Sequence, residues 1–467
     1  PLLNRNAALP CVRDAPHFCA IWSFDAEINF DYAGKLHGIM GIGQAIRRMG
    51  GDAMEMSARA VGIVAEYNPF HNGHAWQIRA VRERCPHAAI VAVMSGSFTQ
   101  RGEPCVLDKW TRACHAVMGG ADLVLELPFV FSCRSAQDFA RGGISFLSRL
   151  AVVDHLSFGT EAQDIGQLAE AAAQIDAAPV QMRLRKYLEA GDSYAKALMQ
   201  ALMEETEISE DTMRAPNNIL AIEYLRALHT FAPHITPIAV HRTAAQHGDD
   251  RLYTGITSAS SIRRVLETAV PPWERLAQAV EPVVLNDLKK QHTLGFSRAD
   301  SLLDLLRYHL LITDAATLME SYGIAEGIEH RLIRCLKTSS DYRSFLAQTA
   351  TKRWPQSRIG RLIVHLLLHF KKTQAREFDT CGASYIRPLA FNAYGKALLR
   401  TIKQASPLPI ITRTAAFLTS YQRTALTSAH SPLQRMLAFD TRATELRNFI
   451  LPQRCTQELC TDFITSP

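Results

Sequence analysis

Cysteine pairing is the first thing this sequence lacks: none of its ten cysteines forms a Cys-x-x-Cys unit, and Cys455 and Cys460 stand nearest to each other. A zinc ribbon and a thioredoxin-like redox motif are therefore not signalled. Scattered thiols are the ordinary state of a reducing compartment, so a cytoplasmic protein is expected. Long apolar runs are missing as well. The most apolar stretch, 362–370, is broken by His365 and His369 and falls far short of the ~20 residues that a membrane-crossing helix needs. No membrane partner is expected. Internal repeats and low-complexity tracts are absent, and charge of one sign is scarce: 51 Lys and Arg against 45 Asp and Glu leave a net +6. Spread over the whole chain, that excess is compatible with a polyanionic partner and equally with plain solubility.

What is present is enough apolar content, 47% of 467 residues, for two or three globular domains with buried cores. Residues 1–55 lack strong periodicity and read as neither a signal nor a transit peptide, which leaves an N-terminal extension of doubtful role. Met54 and Met56 precede the first convincing strand and are the expected natural starts; mass spectrometry of the native protein would oppose this by finding peptides from 1–53. From Val61 onward, short apolar runs at 61–67, 89–94, 123–127, 155–158 and 237–240 alternate with helical patterns at 76–84, 112–118, 165–175 and 219–229. Strands joined by crossover helices predict an α/β, doubly wound parallel sheet. The helix at 219–229 follows Pro216-Asn217-Asn218, where an asparagine is expected to cap it. Beyond about 268, amphipathic stretches at 302–311, 327–336 and 359–370 replace strands, so 269–467 reads as a mostly helical domain joined near Pro271-Pro272 to a domain over 56–268.

The sharpest local feature is Asn68-Pro69-Phe70-His71-Asn72-Gly73-His74, an H-x-G-H sequence between the first strand and the next helix. It brings two imidazoles to a helix N-terminus, where unpaired amides and the dipole favour a phosphate and each ring can donate to phosphate oxygens. Gly73 lets a nucleotide lie close to the backbone. The other strands also end in polar residues: Ser95 to Gly102, Glu126-Leu127-Pro128, Gly159-Thr160-Glu161 and His241-Arg242. In an open parallel sheet that edge is where ligands bind. Thr257-Ser258-Ala259-Ser260-Ser261-Ile262-Arg263-Arg264 reads either as a simple serine N-cap or as a phosphate clamp in which Ser258, Ser261 and Arg263 hold a leaving pyrophosphate. No Ser-His-Asp or Cys-His arrangement points to a covalent intermediate.

Taken in order, the run 61–74, Met94-Ser95-Gly96-Ser97-Phe98-Thr99-Gln100-Arg101-Gly102-Glu103-Pro104, Asp108-Lys109-Trp110-Thr111-Arg112, the run 121–128, the run 156–161 and Pro216-Asn217-Asn218-Ile219-Leu220 resemble the bacterial tRNA(Met) cytidine acetate ligase family of the H-x-G-H nucleotidyltransferase superfamily. The likeness extends from about Met56, continuing more weakly through Tyr385-Ile386-Arg387 and Phe391-Asn392; Ser97 stands where many relatives carry asparagine. The resemblance implies a Rossmann-like nucleotidyltransferase sheet and a two-step reaction. Acetate attacks the α-phosphate of ATP to give acetyl-adenylate, and the acetyl group passes to the exocyclic amine of the wobble cytidine of elongator tRNA(Met), without acetyl-coenzyme A. It further implies ATP contacts at Val64, Ala65, Glu66, Tyr67, Asn68, Pro69, Phe70, His71, Asn72, Gly73, His74, Ala75, Trp76 and Gln77, then at Gly159, Asn217 and Arg242. His71 and His74 are the catalytic pair, steadying transition-state charge. Mg2+ on the phosphates is expected, with Glu66, Glu126 and Glu161 as weak candidate ligands against solvated loop positions. No stable protein partner is implied.

From Thr351 to Arg376 the chain holds Lys352, Arg353, Arg358, Arg361, Lys371, Lys372 and Arg376 and no acidic residue, the expected surface for tRNA phosphates. Trp354, Tyr385 and Phe391 read as base-stacking groups or, more simply, as packing. His365 and His369 read as packing, since no third metal ligand is indicated. Two other functions fit parts of the pattern: a small-molecule adenylyltransferase of the same superfamily, and a non-catalytic RNA-binding protein.

Overall fold

In the computed structural model, the described residues are 59–162, 164–241, 258–419, 421–422, 430–452 and 464–465. The extension 1–55, Thr257 and Arg242 lie outside them. Five strands form where apolar runs predicted them: β1 Ala60–Ala65, β2 Ala89–Ser95, β3 Leu123–Leu127, β4 His155–Thr160 and β5 Thr236–His241. They pair in parallel in the order β5-β4-β1-β2-β3. Burial on both faces explains their unbroken hydrophobicity. In β2, Ile90, Ala92 and Met94 enter one core with Ile78, Val81 and Trp110, while Val91 and Val93 enter the other with Phe139 and Leu147. Helices Asn72–Arg84 and Lys109–Met118 cover the first face, and Ala136–Arg149 and Pro216–Phe231 the second.

Two further strands were not read from the sequence: β6 Pro388–Phe391, antiparallel to β3, and β7 Ile464–Thr465, parallel to β6. β6 has four residues, begins with proline and carries a register irregularity opposite Val124 and Leu125, so no periodicity announces it. Helix Ala393–Ala405 then turns back onto the sheet at Gly395, where a Cβ would stand 1.9 Å from the Asp122 carbonyl oxygen. The region after 268 is mostly helical; Leu276, Val280, Val284 and Leu288 pack in a small cluster with Leu107 and Ile262, but most of its core is not separate. Leu302, Leu362, Phe370 and Phe439 belong to the same buried cluster as Phe139 and Leu147. No helix among the described residues is long and apolar enough to cross a membrane.

That shared core encloses charges. Glu126 on β3 accepts from the Lys109 ammonium at 2.9 and 3.1 Å and from Arg387 at 3.0 Å, and Arg387 also donates to Thr414 at 3.1 Å. Glu126 is thus a buried ion-pair centre rather than a solvated loop residue, and it is not available to a metal. Burial pushes its carboxyl up, but Lys109 and Arg387 outweigh burial and hold it below the usual carboxylate range. Glu126→Gln, which strands two buried cations, is expected to cost about 3–5 kcal/mol in denaturant unfolding at neutral pH. Because the folded value is depressed, the wild-type advantage is full above the ordinary glutamate range and is lost as pH falls through the folded value. Unfolding curves of the two proteins should converge in acid.

Candidate functional site

β1 lies between β2 and β4: the chain runs outward through β2 and β3 on one side, then returns to β4 and β5 on the other. The crevice beyond the carboxyl ends of β1 and β4 is therefore the topological switch point, where such sheets bind ligands. The H-x-G-H loop fills one lip of it. Tyr67 turns the chain in the left-handed region at φ 47°, and the helix Asn72–Arg84 starts at His71. His71 Nδ1 accepts the Gly73 amide at 3.0 Å, and His74 Nδ1 accepts the His71 amide at 3.2 Å. This is a capping box built from imidazoles, and the two rings stack with centroids 3.7 Å apart. An edge contact from Tyr67 at 4.8 Å and a tilted one from Phe70 at 5.5 Å hold His74 in place. With both Nδ1 atoms accepting, the neutral rings carry their protons on Nε2. The helix start thus carries two oriented donors beside its own positive dipole end.

Sequence-predicted residues gather here from distant segments. Gln77 reaches across to the Ser157 hydroxyl of β4 at 3.3 Å. Gly159 lies in β4 beside Val240 of β5. The Asn217 amide donates to Glu161. Ser258 caps helix Ala259–Leu266 through the Ser261 amide at 3.1 Å, and the two hydroxyls meet at 2.6 Å. Arg263 donates to the Asn68 carbonyl at 2.8 Å and to Glu103 at 2.8 Å. The serine cap and the delivery of Arg263 to the H-x-G-H loop are thus one arrangement. Val64 and Ala65 end β1, and Ala75 and Trp76 lie on the first turns of the following helix. Glu66 accepts the Gln100 amide at 2.6 Å, and burial pushes its carboxyl up.

One expectation changes. The helix Pro216–Phe231 has Ala215 at its cap and no side-chain cap bond. Asn218 points backward instead: its Oδ1 accepts from Thr160 Oγ1 at 2.7 Å, the Glu161 amide at 2.9 Å and the Ala162 amide at 3.1 Å. It moulds the loop after β4, a role that no spacing rule reveals. Arg112, also missed, is buried and donates to the carbonyls of Leu107, Glu66, Ser95 and Gly96.

The basic stretch is only partly a surface. Lys352, Arg353 and Lys371 are exposed and Lys372 is half-buried. Lys371 pairs with Glu320 at 2.8 Å and Lys372 donates to the Met319 carbonyl at 2.7 Å. Arg358 lies over the Trp354 ring at 3.6 Å, and a cavity of about 470 Å3 opens beside Arg331, Lys352, Arg353 and Trp354. Arg361 departs from the expected phosphate surface: it turns inward to the Gln100 carbonyl at 3.3 Å, and burial lowers its pKa. Trp354, Tyr385 and Phe391 are buried, as packing requires. Tyr385 donates to the buried Asp440, whose carboxyl burial pushes up to about 7. His365 Nε2 meets the Cys133 carbonyl at 2.7 Å.

The family described as HIGH Nucleotidyl Transferase matches residues 58–462, so the chain belongs to the HIGH nucleotidyltransferases. Within that class it belongs to the tRNA(Met) cytidine acetate ligase family. The tRNA(Met) cytidine acetate ligase of Thermoanaerobacter sp. (strain X514) is 36% identical over 366 residues, 76% of this chain and 89% of that one. That of Syntrophomonas wolfei is 34% identical over 416 residues, 87% of this chain and 98% of that one. Thermotoga maritima TmcAL, solved with alpha-thio ATP, superposes with a TM-score of 0.77 at 28% identity, covering 87% of this chain and 100% of that one. Asn218→Ala, which leaves two loop amides and a hydroxyl without their acceptor, is expected to destabilise the protein by about 1–3 kcal/mol. Asn218→Asp keeps an acceptor and should cost less in the same thermal or denaturant melts.

Proposed function

We propose that this chain is an ATP-dependent ligase that makes acetyl-adenylate from acetate and ATP and transfers the acetyl group to the exocyclic amine of the wobble cytidine of elongator tRNA(Met). The observation that carries the reading is the imidazole capping box at the β1/β4 switch point, in a chain of this family. ATP lies across the tip of β1. An acetate oxygen attacks the α-phosphorus, the bond to the β-phosphate oxygen breaks, and pyrophosphate leaves. His71 and His74 donate from Nε2 to phosphate oxygens as negative charge accumulates, and the helix amides and dipole add to them. Ser258, Ser261 and Arg263 serve the departing pyrophosphate. The cytidine amine then attacks the acetyl carbonyl, AMP leaves, and the amine loses a proton.

Magnesium is proposed on the phosphates, where it would neutralise charge. Among the described residues no group of three or more His, Cys, Asp or Glu could form a cage. The donor set instead suits an ion held by phosphates and water with at most one carboxylate. Glu161, with one oxygen lacking a partner, fits that position. Residues 56–268 supply the nucleotide site and 269–467 the tRNA-binding part, in which Lys352, Arg353, Arg358, Lys371 and Lys372 attract phosphate. The protein acts in the cytoplasm.

Acetate-dependent exchange of pyrophosphate into ATP, followed by nucleoside analysis of tRNA(Met), tests the reading. Exchange that requires a mononucleotide instead of acetate would replace it with small-molecule adenylyl transfer. His71→Asn retains a good N-cap, so melting should change little, while exchange falls by roughly 100-fold or more. Lys352→Glu with Arg353→Glu should leave exchange intact and weaken tRNA binding, with a shallower salt dependence; unchanged tRNA affinity at moderate salt removes this patch.

A further inference from the structure

On the face of the β1 tip turned away from the imidazoles, polar groups are buried without partners. The rings of Tyr67, Phe70 and His74 pack together, and Tyr67 and Phe70 belong to the core under helix Asn72–Arg84. Glu66 points the opposite way, because alternation along β1 places Ile63 with that core and Val64 against the other. The register that pairs Ala65 with Met94 brings Ser95 alongside Glu66. Ser95 is 0% exposed and its hydroxyl has no partner. Gln100 donates its backbone amide to Glu66 at 2.6 Å, while its side-chain Nε2 is buried and unpartnered.

Tyr224 closes the ring from the β4 side. It stands on helix Pro216–Phe231 with its ring 5.9 Å from that of Phe158, is 3% exposed, and its hydroxyl has no partner. Glu66 is near enough for its charge to add to burial in raising the Tyr224 hydroxyl. Arg361 arrives from above. Gly102 and Gly360 let the loop and helix Gln356–Leu367 touch backbone to backbone; a Cβ on Gly102 would lie 2.4 Å from Gly360 C, and one on Gly360 would lie 2.7 Å from the Arg101 carbonyl oxygen. The contact delivers the Arg361 guanidinium to the Gln100 carbonyl, and among the described residues it has no ion pair.

A half-buried guanidinium with no ion pair among the described residues and three buried donors without acceptors each carry a desolvation cost that a bound anion would remove. We propose that Arg361, Gln100, Ser95 and Tyr224 form the subsite for the carboxylate of acetate. This rests on the ligase reading and deepens it. The attacking carboxylate must reach the α-phosphorus from a side that the imidazoles steadying the phosphate do not occupy, and this cluster of donors lies across the β1 tip from them. Ser95 and Tyr224 then bind through their hydroxyls, Gln100 through its amide and Arg361 through its charge. Burial, which pushes the Glu66 carboxyl up, reduces its repulsion of the incoming anion.

Tyr224→Phe and Ser95→Ala each delete one unpartnered hydroxyl and should melt as the wild type does, while Arg361→Lys keeps charge but loses the planar fork. In acetate-dependent pyrophosphate exchange, the acetate KM should rise about tenfold for Arg361→Lys and severalfold for the other two, with the ATP KM unchanged. An unchanged acetate KM in all three, or an ATP KM rising in step with it, overturns the subsite while the ligase reading stands. Wild-type protein that needs no acetate for exchange overturns the ligase reading, and the subsite with it.

Discussion

The candidate site depends on one buried cation. Parallel strands end with carbonyls that have no further strand to pair with, and the loops leaving β1 and β2 would diverge if those acceptors were left to water. Arg112, capped into place by the Asp108 carboxylate that begins its helix, fills the gap. Its guanidinium gathers the carbonyl of Glu66 after β1, those of Ser95 and Gly96 at the end of β2, and that of Leu107 ahead of its own helix. A guanidinium presents its donors in a rigid plane, so it sets the spacing between these loops as well as satisfying them. A lysine would offer charge without that geometry.

From this clasp the H-x-G-H loop inherits its place, and the imidazoles do two things at once. As acceptors at Nδ1 they finish the first turn of a helix, and the same bonds leave the proton of each neutral ring on Nε2, with the tautomer already decided. An aspartate cap would satisfy the same amides and leave nothing to donate. The structural and chemical explanations of His71 and His74 therefore do not compete, since the capping bonds are what orient the donors.

Much of this was legible from sequence. Four strands buried on both faces and the half-buried edge strand β5 announce themselves as apolar runs, and H-x-G-H announces its loop through its position between strand and helix. What was not legible depends on pairing over long distances. Asn218 looks like a helix cap, yet it serves the loop after β4, 56 to 58 positions away. Glu126 looks like a loop carboxylate until Arg387, 261 positions on, is folded against it. β6 is too short for periodicity and becomes a strand only because β3 offers it an edge. Such residues are defined by their partners, and local spacing carries no record of a partner.

The basic stretch makes the same point about charge. Counted along the chain, Arg358 and Arg361 look equivalent, and three residues apart they share one side of helix Gln356–Leu367 about a turn from each other. Arg358 lies over Trp354 at the periphery, whereas Arg361 reaches the Gln100 loop beside the β1 tip. One helix turn thus joins the basic surface to the chemical edge of the sheet. Because much of the helical region packs into the same core as one face of the sheet, the backbone contact at Gly102 and Gly360 ties that helix directly to the Gln100 loop.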